Sequence, residues 1–327
     1  MTTNNRGWRR ALWTAAKLIL VAAAVFFVGK VLVDNWPDVR AGWQPPRAGL
    51  LVAAALALFG SYLYLYKVSL VVLRRVGYRL SFRAGLRPFF YSLLGRYVPG
   101  RVAVALGKIY LYEKRGVPRL AAALAVIYEN VFAAVGGVAV ALALGAAFLT
   151  GVFSWAALAL AAAGALALAM LIQPAFLQRL LAWPLKKMRL GGIRTEMLIG
   201  RRGSAAFALA YAAYCISLGV FFAFFAAAFV PLGAAAAAQV GAAYVVAAVL
   251  GYVAVFAPSG LGVREGLLVI LLQRYMPPGD AAFLAVASRI VAVAAELLLA
   301  GAAAGAGSKT EARAARDGPS AKDIQTQ

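Results

Sequence analysis

Long apolar runs alternate with short basic segments along this chain, and the lengths of the runs set its architecture. Residues 11 to 33, 48 to 73, 120 to 149, 152 to 173, 204 to 230 and 281 to 306 are each apolar for long enough to cross a membrane as a helix, which takes about 20 residues. The first run follows Arg6, Arg9 and Arg10 as a signal peptide would, but its length and internal Lys17 predict an uncleaved span. Two further stretches are interrupted. Residues 82 to 113 fall into apolar pieces from Phe82 to Val98 and from Val102 to Tyr112, broken at Pro99-Gly100. Basic residues flank both ends, Arg83 and Arg87 before and Lys114, Arg115 and Arg119 after, so the stretch reads as a hairpin that enters and leaves on one side. Residues 235 to 276 are broken at Pro258-Ser259-Gly260. They read either as a hairpin dipping from the opposite side or as two crossings; 235 to 257 is long enough to cross and 262 to 276 is short for it. The pattern predicts an all-α polytopic membrane protein, with six full spans and two broken or re-entrant helical hairpins within residues 1–306. From Gly307 to Gln327 the chain is polar and is expected to be a disordered tail.

Composition agrees with a lipid environment. Of 327 residues 64% are hydrophobic and 13% charged, about half the charged share that covers a soluble domain. Lys and Arg number 33 against 11 Asp and Glu, a net charge of +22 that could point to nucleic acid. Its placement argues otherwise. Arg74, Arg75, Arg79, Arg83 and Arg87 follow the second run, and Arg179, Lys186, Lys187, Arg189, Arg194, Arg201 and Arg202 lie in a later loop, while other loops are nearly uncharged. This is the positive-inside pattern, and it predicts a multi-pass protein of the cytoplasmic (inner) membrane with both termini in the cytoplasm. Nucleic acid is not an expected partner. The chain has no His and one Cys, Cys215 in an apolar run, so His-based triads, metal centres and disulfide frameworks are not expected, nor is any cofactor. Gly29-Lys30 and Gly107-Lys108 lack the upstream glycine and following Ser/Thr of a phosphate-binding P-loop, so no ATPase activity is expected. Gly301 to Gly305 forms a GxxxG, which leaves a homo-oligomer open.

The two interrupted stretches are followed by similar sequence. Pro118 to Val131 reads PRLAAALAVIYENV and Pro278 to Val291 reads PGDAAFLAVASRIV, with the upstream breaks at Pro99 and Pro258. Glu129 and Arg289 then hold equivalent places, each 11 residues beyond its proline. The shared order of broken hairpin, proline and long span suggests an inverted repeat of the kind that builds many transporters. A charge near the bilayer midplane costs at least about 2.5–3.5 kcal/mol, so Glu129, Arg289 and Glu296 should face the protein interior. Glu129 and Arg289 can pair across the repeats or serve a substrate. Arg96, Arg101, Lys108 and Arg264 stand beside the breaks, where freed backbone N–H groups and a guanidinium suit a phosphate; the alternative is that they snorkel to the headgroups. Ser259 adds a hydroxyl, and Pro99, Gly100, Pro258 and Gly260 supply hinges. Glu265 either balances charge or simply stabilises the first turn of its helix. Tyr62, Tyr64 and Tyr66 read as interfacial belt residues.

At Leu94-Gly-Arg-Tyr-Val-Pro-Gly100, Tyr112-Glu-Lys-Arg-Gly-Val-Pro118, Pro258-Ser-Gly-Leu-Gly-Val-Arg-Glu-Gly266 and Ser288-Arg-Ile290 the chain resembles the flippase-like membrane region of lysylphosphatidylglycerol synthases. Stand-alone members exist without the soluble aminoacyl-transferase domain, which this sequence lacks, so the resemblance implies lipid movement and not synthase activity. Relatives often show Glu-Arg where this chain has Glu129-Asn130. The implied function is translocation of an anionic lipid, of phospholipid or polyprenyl-phosphate type, between leaflets. In that reading the phosphate meets Arg96, Arg101, Lys108, Ser259, Arg264 and Arg289, while Glu129, Glu265 and Glu296 balance charge or carry a proton. A membrane-embedded transferase using a lipid-phosphate donor and a non-catalytic scaffold are the alternatives.

Overall fold

A computed structural model describes residues 45–97, 102–148, 197–253 and 262–317, together with 29, 30, 33, 34, 36 and 37, and side chains as far as Gly305. The expected spans at 11–33, all but three residues, and at 152–173 lie outside the described residues, as do Pro99, Gly100, Arg101, Pro258, Ser259 and Gly260. What is described is helical. In chain order the helices are α1 (Ala48–Arg75), α2 (Phe82–Leu94), α3 (Val102–Glu113), α4 (Arg119–Phe148), α5 (Arg201–Phe229), α6 (Ala234–Val253), α7 (Val263–Leu272) and α8 (Pro278–Asp317), with a 3₁₀ turn, Gly95–Tyr97, after α2. Five of them, α1, α4, α5, α6 and α8, are long and apolar enough to cross a membrane. The helix of α8 continues to Asp317, where Ala, Lys, Glu and Arg are good helix formers.

The first hairpin follows from short helices with strong ends. α2 has 13 residues and α3 has 12, about 20 Å each at 1.5 Å per residue, well short of the roughly 30 Å hydrocarbon core. Ser81 caps α2 by accepting the Ala84 N–H. Gly77 and Gly116, both at positive φ, end α1 and α3 in the same way. The N–H of Gly77 and Tyr78 return to Arg74 and Leu73, and those of Gly116 and Val117 return to Glu113 and Tyr112. That pairing satisfies the last carbonyls of each helix. Basic residues cluster at both ends of the hairpin.

The second hairpin is unequal. α6 has 20 residues and α7 has 10, so α7 cannot cross. Near its end α6 approaches the middle of α4: the Tyr252 hydroxyl bonds to Asn130 Oδ1 at 3.1 Å, roughly 17 Å along α4 from Arg119. Gly251 then lets α7 start alongside, because a Cβ there would sit 2.8 Å from that of Arg264. α6 and α7 therefore pack side by side.

Packing reveals the repeat. α2 packs on α3, α3 on α4, and α6 on α7, α7 on α8; crosswise, α2 packs on α8 and α6 on α4. With α1 matched to α5, α2 to α6, α3 to α7 and α4 to α8, one set of neighbours becomes the other. The copies run oppositely. α1 and α5 are antiparallel neighbours, joined where the Arg47 N–H meets the Ala228 carbonyl, and the basic end of α1 lies with Ile199 at the start of α5. This is an inverted repeat with the first helix of each hairpin exchanged onto the long helix of the other copy.

Candidate functional site

Two groups of buried charge lie inside this frame. The first joins α1, α3 and α4. Lys108 Nζ reaches Glu129 Oε2 at 2.5 Å and Ser69 Oγ at 2.9 Å, while Ser69 Oγ donates to Glu129 Oε1 at 2.7 Å. Tyr112 lies 3.2 Å from the same serine; because Ser69 has already spent its one proton, the phenol is the donor. The ammonium also sits 4.6 Å from the Phe89 ring centroid. Lys108 is thus matched in charge by Glu129 and closed in on all sides. Of the two roles open to Glu129, the ion pair it makes is with Lys108 and not with Arg289. The reason is rotational setting: Glu129 faces α1 and α3, whereas Arg289 lies half-buried on α8, two turns from Glu296.

The second group takes in Arg96 and Arg264, the cations next to the two breaks in sequence. Arg96, in the 3₁₀ turn just before the Pro99-Gly100 break, reaches Glu296 Oε1 on α8 at 2.8 Å. The Tyr62 hydroxyl of α1 donates to the same oxygen at 2.6 Å. Glu296 is buried, at 2% exposure. Arg264, in the first turn of α7 after the other break, places its guanidinium carbon 4.6 Å from the Tyr244 ring centroid, and Phe222 stacks on that ring at 4.4 Å. Each of these two cations thus lies against a buried tyrosine or the acid that the tyrosine binds. Glu265, next to Arg264, accepts the Gly262 N–H on its Oε2 at 2.8 Å, which is the helix-start role.

Tyr62 and Tyr66 are not belt residues. Both are buried, one bonded to Glu296 and the other to the Phe82 carbonyl, while Tyr64 is exposed. Tyr62, Tyr66 and Ser69 lie at i, i+4 and i+7, a spacing that puts them on one helix face, and this was the signal that could have found them.

The helical frame is matched by a family model along most of its length: the lysylphosphatidylglycerol synthase TM region, over residues 14–300. The chain belongs to that family. Membership gives a polytopic protein with a membrane lipid-related role, and the matched residues take in both hairpins and every residue of the two charged groups. No curated protein matches the chain.

Proposed function

We propose that the protein moves an anionic lipid, a phospholipid or a polyprenyl phosphate, between the leaflets of the cytoplasmic membrane, acting as a transporter and not as an enzyme. One observation carries the reading: two cations next to the breaks in sequence are held among buried tyrosines, Arg96 with the Tyr62 hydroxyl on the Glu296 carboxylate and Arg264 over the Tyr244 ring. A guanidinium can grip phosphate oxygens in pairs, and inverted repeats commonly place substrate between broken helices at the midplane. Arg101 and Ser259, beside the breaks, and Arg289 on α8 complete the proposed headgroup contacts. Lys108 is withdrawn from that set, since Glu129 already balances it. The basic loops put residues 74–87 and 114–119 in the cytoplasm, with both termini on that side. With no nucleotide motif, a gradient or downstream consumption of the lipid supplies the drive.

Purified protein in liposomes should speed leaflet exchange of a fluorescent phosphatidylglycerol or polyprenyl phosphate over protein-free vesicles. Arg264→Ala should reduce the rate at least tenfold. Failure to speed exchange of any anionic lipid sinks the function; an undiminished Arg264→Ala rate sinks the site.

A further inference from the structure

The Glu265 carboxylate is satisfied on one side only. Its Oε2 accepts the Gly262 N–H at 2.8 Å, while Oε1 is buried and has no hydrogen-bond partner among the described residues. At 8% exposure the residue has little water around it. Starting the helix needs only the first of these oxygens, and a buried acceptor left without a donor is costly. Glu129, by contrast, has a donor on each oxygen. One residue before Glu265 stands the opposite case. The Arg264 guanidinium lies over the Tyr244 ring, and no described residue accepts a hydrogen bond from it. Neighbouring residues are about 3.8 Å apart at Cα, so the first turn of α7 carries donors without an acceptor beside an acceptor without a donor.

We propose that this turn reads the lipid headgroup: Arg264 takes the phosphate, and Glu265 Oε1 accepts a hydrogen bond from a hydroxyl on the alcohol esterified to that phosphate. This rests on the lipid-transport reading and narrows its substrate to phosphodiesters that carry a hydroxyl, whether on glycerol or on a sugar.

Charge and donors select that class. A bare polyprenyl phosphate is a monoester with a second pKa of about 6. Above neutrality it brings two negative charges and no proton to share, so the carboxylate repels it. A diester brings one negative charge, which Arg264 matches, and the free backbone N–H groups of the helix start favour the same anion. A hydroxyl a few bonds beyond the ester oxygen then supplies the donor that Oε1 lacks. An ammonium in its place would leave the lipid neutral overall, outside the anionic class. Oε1 is covered in the state described, so the hydroxyl reaches it when α7 parts from its neighbours, as elements of an inverted repeat do while access alternates.

The test measures binding to the full chain in a neutral detergent at about pH 8. Dioctanoyl phosphatidylglycerol should bind about tenfold or more tightly than dioctanoyl phosphatidylmethanol, which has the same charge and lacks the hydroxyls. A farnesyl phosphodiester of glucose should likewise exceed bare farnesyl phosphate, and the tighter of the two hydroxyl-bearing lipids identifies the source. Glu265→Gln keeps a carbonyl oxygen for the Gly262 N–H and removes the second acceptor. It should bind both dioctanoyl lipids alike, at the affinity the wild-type protein has for phosphatidylmethanol. Arg264→Ala should weaken both by the same factor. Equal binding of the two by the wild-type protein overturns the hydroxyl contact and leaves lipid transport standing. A preference that survives in Glu265→Gln overturns the role of Glu265, and tighter binding of dioctanoyl phosphatidylethanolamine than of phosphatidylglycerol overturns the hydroxyl in favour of an ammonium. Absence of binding by every anionic lipid overturns this inference and the proposed function together.

Discussion

A buried ion pair is judged by what its removal leaves behind. The Lys108 and Glu129 side chains are 5% and 12% exposed, so Lys108→Met strands a carboxylate in the interior and should cost about 3–5 kcal/mol. Adding Glu129→Gln should recover most of that loss, since no uncompensated charge then remains. Urea or thermal unfolding in detergent reads both, and an unaltered stability of Lys108→Met would show that the pair does not close in the membrane. At this scale the sequence was only partly readable. Apolar surroundings marked Glu129, Arg289 and Glu296 as interior groups, and left Arg96 and Arg264 between a phosphate-binding role and the headgroups. Their partners were hidden, because a few tens of degrees of helix rotation decide whether Glu129 looks at Lys108 or at Arg289. Tyr62 was misread for a related reason: a phenol at a membrane interface and one bonded to a buried acid have the same local sequence.

Among elements, the close approaches are made by glycine. A Cβ on Gly136 of α4 would overlap the Ala208 carbonyl oxygen of α5, and one on Gly241 of α6 would lie 2.6 Å from the Gly219 carbonyl oxygen of α5. Backbone atoms cannot swing aside as a side chain can. Gly136→Ala should therefore lose about 1–3 kcal/mol. Gly60→Ala on α1, where nothing lies within 4 Å, should be neutral or gain up to about 1 kcal/mol from helix propensity. Equal effects of the two in the same unfolding assay would contradict the packing of α4 on α5. The first hairpin has its own test. With Cys215→Ala as background, cysteines at Ser81 and Arg115 should react with an impermeant maleimide from the same side of sealed vesicles, and one at Pro277 from the other. Labelling of Ser81 and Arg115 from opposite sides would mean that α2 and α3 together cross the membrane. Element length and flanking charge had made this hairpin legible beforehand. The second was ambiguous because α6 has the length of a span while α7 is too short for one.

For the whole molecule, the repeat was visible as a matched proline and a matched offset, but the exchange of hairpins between copies was not, since no local pattern says which long helix a short one will choose. That exchange can be trapped. Gly137 and Val249 face each other across α4 and α6, with a Cβ on Gly137 3.4 Å from a Val249 methyl. A Gly137→Cys/Val249→Cys pair, again with Cys215→Ala, should form an intramolecular disulfide under copper phenanthroline. Peptide mapping that finds this link only between separate chains would overturn the crosswise packing.

The interlocked halves also impose an order on synthesis. Glu129 leaves the ribosome 21 residues after Lys108, about 1–4 seconds at 5–20 residues per second, so one clamp on the first hairpin can close almost at once. Glu296 follows Arg96 by 200 residues, roughly 10–40 seconds at the same rate. Throughout that interval the surface meant for α2 has not been made. The insertion machinery must therefore shelter a half-built first copy, its tip arginine near water or another protein, until the final helix arrives to complete it.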